Sequence, residues 1–408
     1  MVVGIILATF GAESRPLDYL VRPLVAGTLL ALVIGGLAGL APPRHRALTA
    51  VALSAVLVIP LNWITVGVLA ACLAVLVAEI SGRAPNTTSP AVVASVIFLA
   101  SGAIQLTPAL IPPASASVER QVIDSPTYVV LLDGYPRADT LSSLGIDNSS
   151  FIEELEARGF DYYPNASSRF GWTERTITVL TTGDTAQTDD AASAAERQGL
   201  RARWRLPEGF VAIAPPVGSV TIPHTHTLNP GGPTLFDARL LRQSVFGRVP
   251  WVADWIMDGF RAQLNRALEV LASTEETRVF AHLLAPHTPF LYDARNPSSA
   301  PECWPACSIV DINANRLGIS IDEWAAGTSG YLEYLNPRLL EAVDAITKHH
   351  PDATIVLFSD HGGRFVEPQD AEWHRSFLAA RTPGAPRLFE QSPHPGSIFE
   401  VLASRRSE

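Results

Sequence analysis

Lysine is nearly missing from this chain: of 30 basic side chains, all but Lys348 are arginine, a bias of composition rather than a physical requirement. Charge is scarce as well, at 17% of residues against about a quarter in an ordinary soluble domain. With a formal net charge of −10 the chain has none of the basic excess that nucleic-acid binding requires. Hydrophobic residues make up 47%, which excludes a disordered chain. Three cysteines, Cys72, Cys303 and Cys307, exclude a disulfide-dense scaffold. There is no internal repeat and no long low-complexity tract. What is present is an excess of apolar residues, unevenly placed, in 408 residues that have room for two or three domains.

The excess lies mostly in residues 1–111. Val25–Leu40 is an unbroken apolar and small run between Arg22 and the Pro42–Arg46 cluster. Ala47–Ile80 is too long for one span of about 20 residues, and Pro60-Leu61-Asn62 offers a turn in its middle. A further span runs from about Ala91 to Ile111. Met1–Phe10 is apolar but short, and it lacks the basic start of a signal peptide. About five transmembrane helices are therefore expected. The basic loops at Arg44–Arg46 and Arg83 face the cytoplasm by charge bias. Everything after about Pro112 is then extracytoplasmic, with residues 112–124 as a Pro/Ser/Ala linker. The expected location is the cell membrane, multi-pass.

Residues 125–408 have a different character. Thr127–Leu132 is a β-branched run ending in Asp133-Gly134, and Thr354–Phe358 is another ending in Ser359-Asp360-His361-Gly362-Gly363. Phe210–Ala214 and Val279–Leu284 read as further strands. Phe151–Arg158, Trp251–Leu271 and Tyr331–Ile346 have helical spacing. This alternation predicts an α/β domain with a mostly parallel sheet, whose ligand sits beyond the carboxyl ends of the strands. Carboxylates at buried strand ends are costly unless hydrogen-bonded or metal-bound. Asp133, Asp360 and His361 together suit a divalent metal, and carboxylate with imidazole fits zinc or manganese better than calcium. The alternative for Asp133 is a capping role at a strand-to-helix turn.

The segments VVLLDGYPRADTL, FIEELEARGFDYYPNASSRFGWTERTITVLTTG, VFAHLLAPHTPFLYD, GYLEYLNPRLLEAVDAI and TIVLFSDHGG together resemble the alkaline phosphatase/sulfatase superfamily. In architecture the chain is similar to the membrane-anchored branch of lipoteichoic-acid-synthase-type phosphoglycerol transferases. The resemblance covers about residues 125–385, with the motifs in the family's order. It implies a largely parallel sheet and metal-assisted attack by a hydroxyl nucleophile. Asp133 matches the acidic metal ligand, Thr173 the nucleophile and a further metal ligand, and Asp360-His361 the late metal pair. His287 matches the histidine that faces substrate or a second metal. Magnesium is a further candidate for the ion.

The local chemistry of Thr173 is compatible with that role. A hydroxyl at a helix N-terminus sees the positive end of the dipole, beside N–H groups that favour phosphate. It needs a metal or base to become a nucleophile at neutral pH. The alternative is an N-cap. His282, His374 and Arg175 are candidates for a second metal or for substrate contact; the alternative for His282 is a satisfied structural histidine and for Arg175 a solvated arginine. His224 and His226 read as surface loop, His394 as a turn residue, and Cys303 with Cys307 as a small disulfide loop. The Cys/Ser-x-Pro-x-Arg context of formylglycine sulfatases is missing around Thr173. The expected function is a metal-dependent phosphoryl-group hydrolase or transferase, acting on a lipid-linked or glycan phosphoester. A phosphodiesterase or phosphatase using water is the alternative within enzymes, and a membrane scaffold with a degenerate site is the alternative outside them.

Overall fold

The computed structural model describes residues 123, 125–182, 206–213, 233, 249–288, 290–292, 319–365, 371–385, 387–389 and 393–405. The expected membrane region 1–111 lies outside the described residues, as do the expected linker apart from Ile123, and His224, His226, Cys303 and Cys307. Among the described residues no helix is long and apolar enough to cross a membrane. The chain divides into two compact units, Met1–Pro113 with Pro233–Ala253, and Ala114–Gly232 with Asp254–Glu408. Apart from Pro233 and 249–253, all described residues belong to the second unit.

That unit contains one six-stranded sheet: β1 Thr127–Leu132, β2 Phe160–Tyr162, β3 Val211–Ile213, β4 Arg278–Leu283, β5 Thr354–Phe358 and β6 Leu378–Arg381, in the order β2-β6-β5-β1-β4-β3. β1 is central and parallel to both neighbours, with Leu131 opposite His282 on β4 and Phe358 on β5. β3 is parallel to β4, whereas β6 runs antiparallel to β5 and β2. Five strands thus share one direction, as the mostly parallel reading requires. All six residues of β1 are buried, which is why its sequence is continuously apolar rather than alternating.

The helices are α1 Ala138–Ser143, α2 Ser149–Ala157, α3 Thr173–Thr182, α4 Pro250–Ser273, α5 Ile321–His349 and α6 Ile398–Ser404, with 3-10 turns at Ala371–His374 and Pro395–Ser397. α5 starts ten residues before the point expected from sequence. Ser320 caps it, accepting from Glu323 N at 3.1 Å while Glu323 Oε2 accepts from Ser320 N at 2.6 Å. Its buried stripe runs Trp324, Thr328, Tyr331, Leu335, Leu339, Ala342 and Ile346, at spacings of three and four.

Period two along the strands sorts the core. Val129 and Leu131, Phe280, Val356 and Phe358, and Leu378 and Ala380 share a cluster with Ile177 and Leu180 of α3 and with Ile398, Phe399 and Leu402 of α6. On the other face, the ring of Tyr128 lies 5.9 Å from that of His350, at the end of α5. Continuing the first parity places His282, Asp133 and Asp360 on the face that α3 covers. The ladder runs one residue past each strand, with Asp133 N donating to Leu283 O at 3.0 Å and Ser359 N to Phe377 O at 2.8 Å.

Candidate active site

Asp133 and Asp360 leave the carboxyl ends of adjacent parallel strands, 3% and 0% exposed. Gly134, at φ +70°, turns the chain so that its N–H donates to Asp360 Oδ1 at 3.1 Å. Asp133 Oδ2 accepts from His282 Nε2 at 3.0 Å. His361 donates from Nδ1 to Gly362 O at 2.8 Å, so the lone pair of this imidazole sits on Nε2. That Nε2 lies 3.3 Å from Asp133 Oδ1 and 3.5 Å from Asp360 Oδ2. All three of these atoms are buried without a hydrogen-bond partner. Each would cost about 1–3 kcal/mol if left so. Two carboxylate oxygens and an imidazole nitrogen, converging and otherwise unpaired, are a donor set that fits a divalent transition metal.

His287 approaches from the segment after β4. Its Nδ1 donates to Thr288 O at 2.7 Å, and its ring stands edge-on to His361 with centroids 5.9 Å apart. Asp133, His287 and His361 can each offer an atom within 4.8 Å of the others. The two trios share Asp133 and His361 and differ in the third member. Asp133, His287 and His361 are the set whose ligand atoms lie within 4.8 Å of one another, and Asp360 approaches it through His361, its Oδ2 3.5 Å from Nε2 and without another partner. Burial alone would raise the Asp133 carboxyl. The facing His287, the His282 hydrogen bond and neighbouring His361 outweigh it and hold the group well below the usual carboxylate range. Burial lowers His287 below its ordinary value, against the pull of Asp133 and with the help of Arg364 and His361.

Thr173 is 7% exposed and opens α3. Thr176 N donates to Trp172 O at 3.1 Å, so Trp172 occupies the N-cap position and Thr173 is the first helical residue. The N-cap alternative therefore does not describe it. Three contacts bind this segment to the loop after β5. Thr176 Oγ1 donates to Asp360 O at 2.9 Å, Arg364 NH2 donates to Gly171 O at 2.7 Å, and Trp373 packs against Gly171 so tightly that a Cβ there would lie 2.7 Å from its ring. Arg175 is half-buried on the same first turn.

Two candidate histidines are held by contacts within the fold. His282 was a candidate second ligand with a core histidine as the alternative; its Nε2 is engaged with Asp133, while its Nδ1 is buried without a partner. His374 clasps the strand-to-helix loop: its Nδ1 donates to Ser168 O at 3.0 Å while Ser168 N donates to His374 O at 2.7 Å. It is not among the residues whose ligand atoms converge. His394 has the expected turn role, accepting from Gly396 N at 2.9 Å.

Arg364 was missed. It is 6% exposed, and its guanidinium lies over the indoles of Trp172 and Trp373, 5.0 and 5.3 Å from their centroids. The only sequence signal was an arginine just after the two glycines that follow Asp360-His361. With His287, His361, Trp324 and Thr328 it lines a cleft of about 340 Å³, counting space open to solvent.

No family model matches the sequence, and no curated protein matches it. Among solved structures, the chain is similar to the phosphonate monoester hydrolase of Agrobacterium radiobacter, at 13% identity over 69% of this chain and 74% of that one, with a TM-score of 0.42. It is similar to the integral membrane protein lipooligosaccharide phosphoethanolamine transferase A (EptA) of Neisseria meningitidis, at 14% identity over 92% of this chain and 78% of that one, with a TM-score of 0.40. The C-terminal periplasmic domain of EptC from Escherichia coli, in complex with zinc, is a third: 15% identity, 71% of this chain and 84% of that one, TM-score 0.36.

Proposed function

We propose that this chain is a metal-dependent phosphoryl-group hydrolase or transferase of the alkaline phosphatase/sulfatase superfamily, anchored in the cell membrane through residues 1–111 and acting outside it on a lipid-linked or glycan phosphoester. The observation that carries this reading is the convergence of Asp133 Oδ1, Asp360 Oδ2 and His361 Nε2, buried and unpaired, at the carboxyl ends of β1 and β5. A degenerate scaffold would have no reason to keep three such atoms, each of which weakens the fold by about 1–3 kcal/mol when unmatched.

Asp133, Asp360 and His361 are the residues to hold the ion, with Thr173 as a further candidate ligand. When bound, a divalent cation supplies charge for phosphoryl oxygens and depresses the pKa of a hydroxyl nucleophile. Thr173 Oγ1 attacks phosphorus in line, the ester bond to the leaving oxygen breaks, and a phosphothreonine ester forms. The N-terminus of α3 presents its N–H groups to the phosphoryl anion. His287, whose proton affinity burial lowers, takes the hydroxyl proton of Thr173 on Nε2 and delivers it to the leaving oxygen. Water or an envelope hydroxyl then releases the phosphoryl group from Thr173.

The test uses the 408-residue chain purified in detergent with manganese or zinc and a chromogenic phosphodiester. Turnover that disappears with a chelator, and that falls by about a thousandfold or more in Thr173→Ala, is the expected result. Turnover unaffected by Thr173→Ala would place the nucleophile elsewhere. No turnover and no bound metal would move the weight to the scaffold.

A further inference from the structure

Trp172 is one of four large apolar side chains that the described residues leave exposed, at 37%. The other three, Trp251, Trp255 and Ile321, belong to the first turns of α4 and α5; Trp172 alone belongs to the loop that carries Thr173. It is the residue directly before Thr173, and consecutive Cα atoms are about 3.8 Å apart. A group joined to a phosphorus at Thr173 Oγ1 is therefore within reach of its ring. The ring also lies on the side of the cluster. The Arg364 guanidinium that is 5.0 Å from its centroid has NH1 3.4 Å from His287 Nε2. The indole is ordered before any ligand arrives. Trp373, 1% exposed, meets it at 67° with centroids 5.8 Å apart, and Trp373 is itself packed on Gly171. A flat surface fixed in advance loses little entropy when a ligand lies on it.

We propose that Trp172 is the stacking platform for a sugar ring esterified to the phosphoryl group, so that the substrate is a sugar phosphoester. The negative face of an indole attracts the weakly positive C–H groups along one side of a pyranose. An ammonium headgroup would seek that face as well, but the Arg364 guanidinium already lies over the ring, and a second cation there is repelled by the first. An alkyl chain is received by a groove of apolar side chains. Among the described residues, the ring contacts of Trp172 are one indole and one guanidinium. The inference rests on the reading of the cluster as a phosphoester site and narrows its substrate.

The experiment titrates glucose 6-phosphate, butyl phosphate and phosphoethanolamine calorimetrically into the manganese-loaded 408-residue chain, as wild type, Trp172→Leu and Trp172→Tyr, with manganese affinity measured separately for each. Glucose 6-phosphate is expected to bind about 3- to 10-fold more tightly than the other two, to lose that margin in Trp172→Leu, and to keep most of it in Trp172→Tyr, which retains a flat π-face. Octyl glucoside 6-phosphate, run beside it, tells a glycolipid source from a free glycan by whether its chain adds affinity; both keep the sugar on Trp172. Equal affinities in wild type would overturn the proposal, and so would a margin that survives Trp172→Leu. A margin for butyl phosphate or phosphoethanolamine that Trp172→Leu removes would put a chain or a cation on the ring and overturn it too. A joint loss of manganese affinity would mark a structural role, with the same result. If Trp172→Leu does not fold, Trp172→Gln, suited to an exposed position, takes its place in every arm. A wild type that prefers glucose 6-phosphate through Trp172 without turning over a phosphodiester would refute the proposed reaction and leave the platform standing. Normal turnover with no sugar preference would do the reverse.

Discussion

Asp360→Asn separates the two jobs of the carboxylate cluster and gives them opposite signs. In the metal-free protein Asp360 Oδ1 is satisfied by Gly134 N at 3.1 Å, but Oδ2 is buried and unpaired, 3.5 Å from the equally unpaired Nε2 of His361. Because His361 donates from Nδ1 to Gly362 O, its Nε2 carries a lone pair. Asparagine keeps the acceptor for Gly134 and places an N–H where Oδ2 was, facing that lone pair. Two unmatched atoms become one hydrogen bond. A gain of about 1–2 kcal/mol is expected for the metal-free variant. That corresponds to a melting temperature about 2–3 °C higher. In the presence of metal the order reverses. Wild type at a thousand times its dissociation constant gains about 4 kcal/mol. A variant that has lost a ligand and binds at least about a hundredfold more weakly gains about 2.7 kcal/mol less. Melting curves of both proteins with chelator and across a manganese or zinc titration should therefore cross. A metal-free Asp360→Asn protein less stable than metal-free wild type would refute the reasoning, since it would mean that the carboxylate is structurally satisfied and not waiting for an ion.

Two further predictions follow from the same geometry. A Cβ at Gly362 would meet Glu372 O at 2.0 Å and Arg375 O at 2.7 Å, so Gly362→Ala should lower stability by about 3 kcal/mol or more by chemical denaturation; a loss under about 1 kcal/mol would show that the two backbones can part. The pKa of His394 is lowered below its ordinary value of 6.5, by burial first and then by Arg169. Above that value both states are neutral. As pH falls below it the unfolded chain takes the proton first, so stability declines until the folded-state pKa is passed and then levels. His287, also lowered, adds to the same trend. His394→Asn should flatten part of the slope in unfolding free energy below pH 6.5 in metal-free protein, and an unchanged slope would mean that His394 is not the group responsible.

The parts of this architecture that are buried on both faces were the easiest to read. β1 and β5 occupy the residues expected, because a central parallel strand is apolar throughout. β2 and β6 were missed: Phe160–Tyr162 is three residues long, and Leu378–Arg381 has two alanines where β-branched residues would have signalled a strand. The first turns of α5, which contain Gly327 and Gly330, lie before the expected Tyr331–Ile346. Gly327 in fact lies under the ring of Phe290, where a Cβ would be 2.3 Å from a ring carbon. Asp133, Asp360 and His361 were legible because strand ends are local features of the sequence. The part played by His282 depends on its register opposite Leu131, and that of Arg364 on Gly171, Trp172 and Trp373, which only the tertiary fold brings together.

The cluster owes its location mainly to main-chain bonds: Asp133 N on Leu283 O, Ser359 N on Phe377 O, Gly362 N on Trp373 O, and Gly134 N on Asp360. Backbone bonds survive most side-chain replacements. Trp324, Thr328 and Thr288, which line the cleft, take part in none of these four bonds. The position of the cluster and the shape of the cleft wall are thus held by different kinds of bond, the first by peptide groups and the second by side chains.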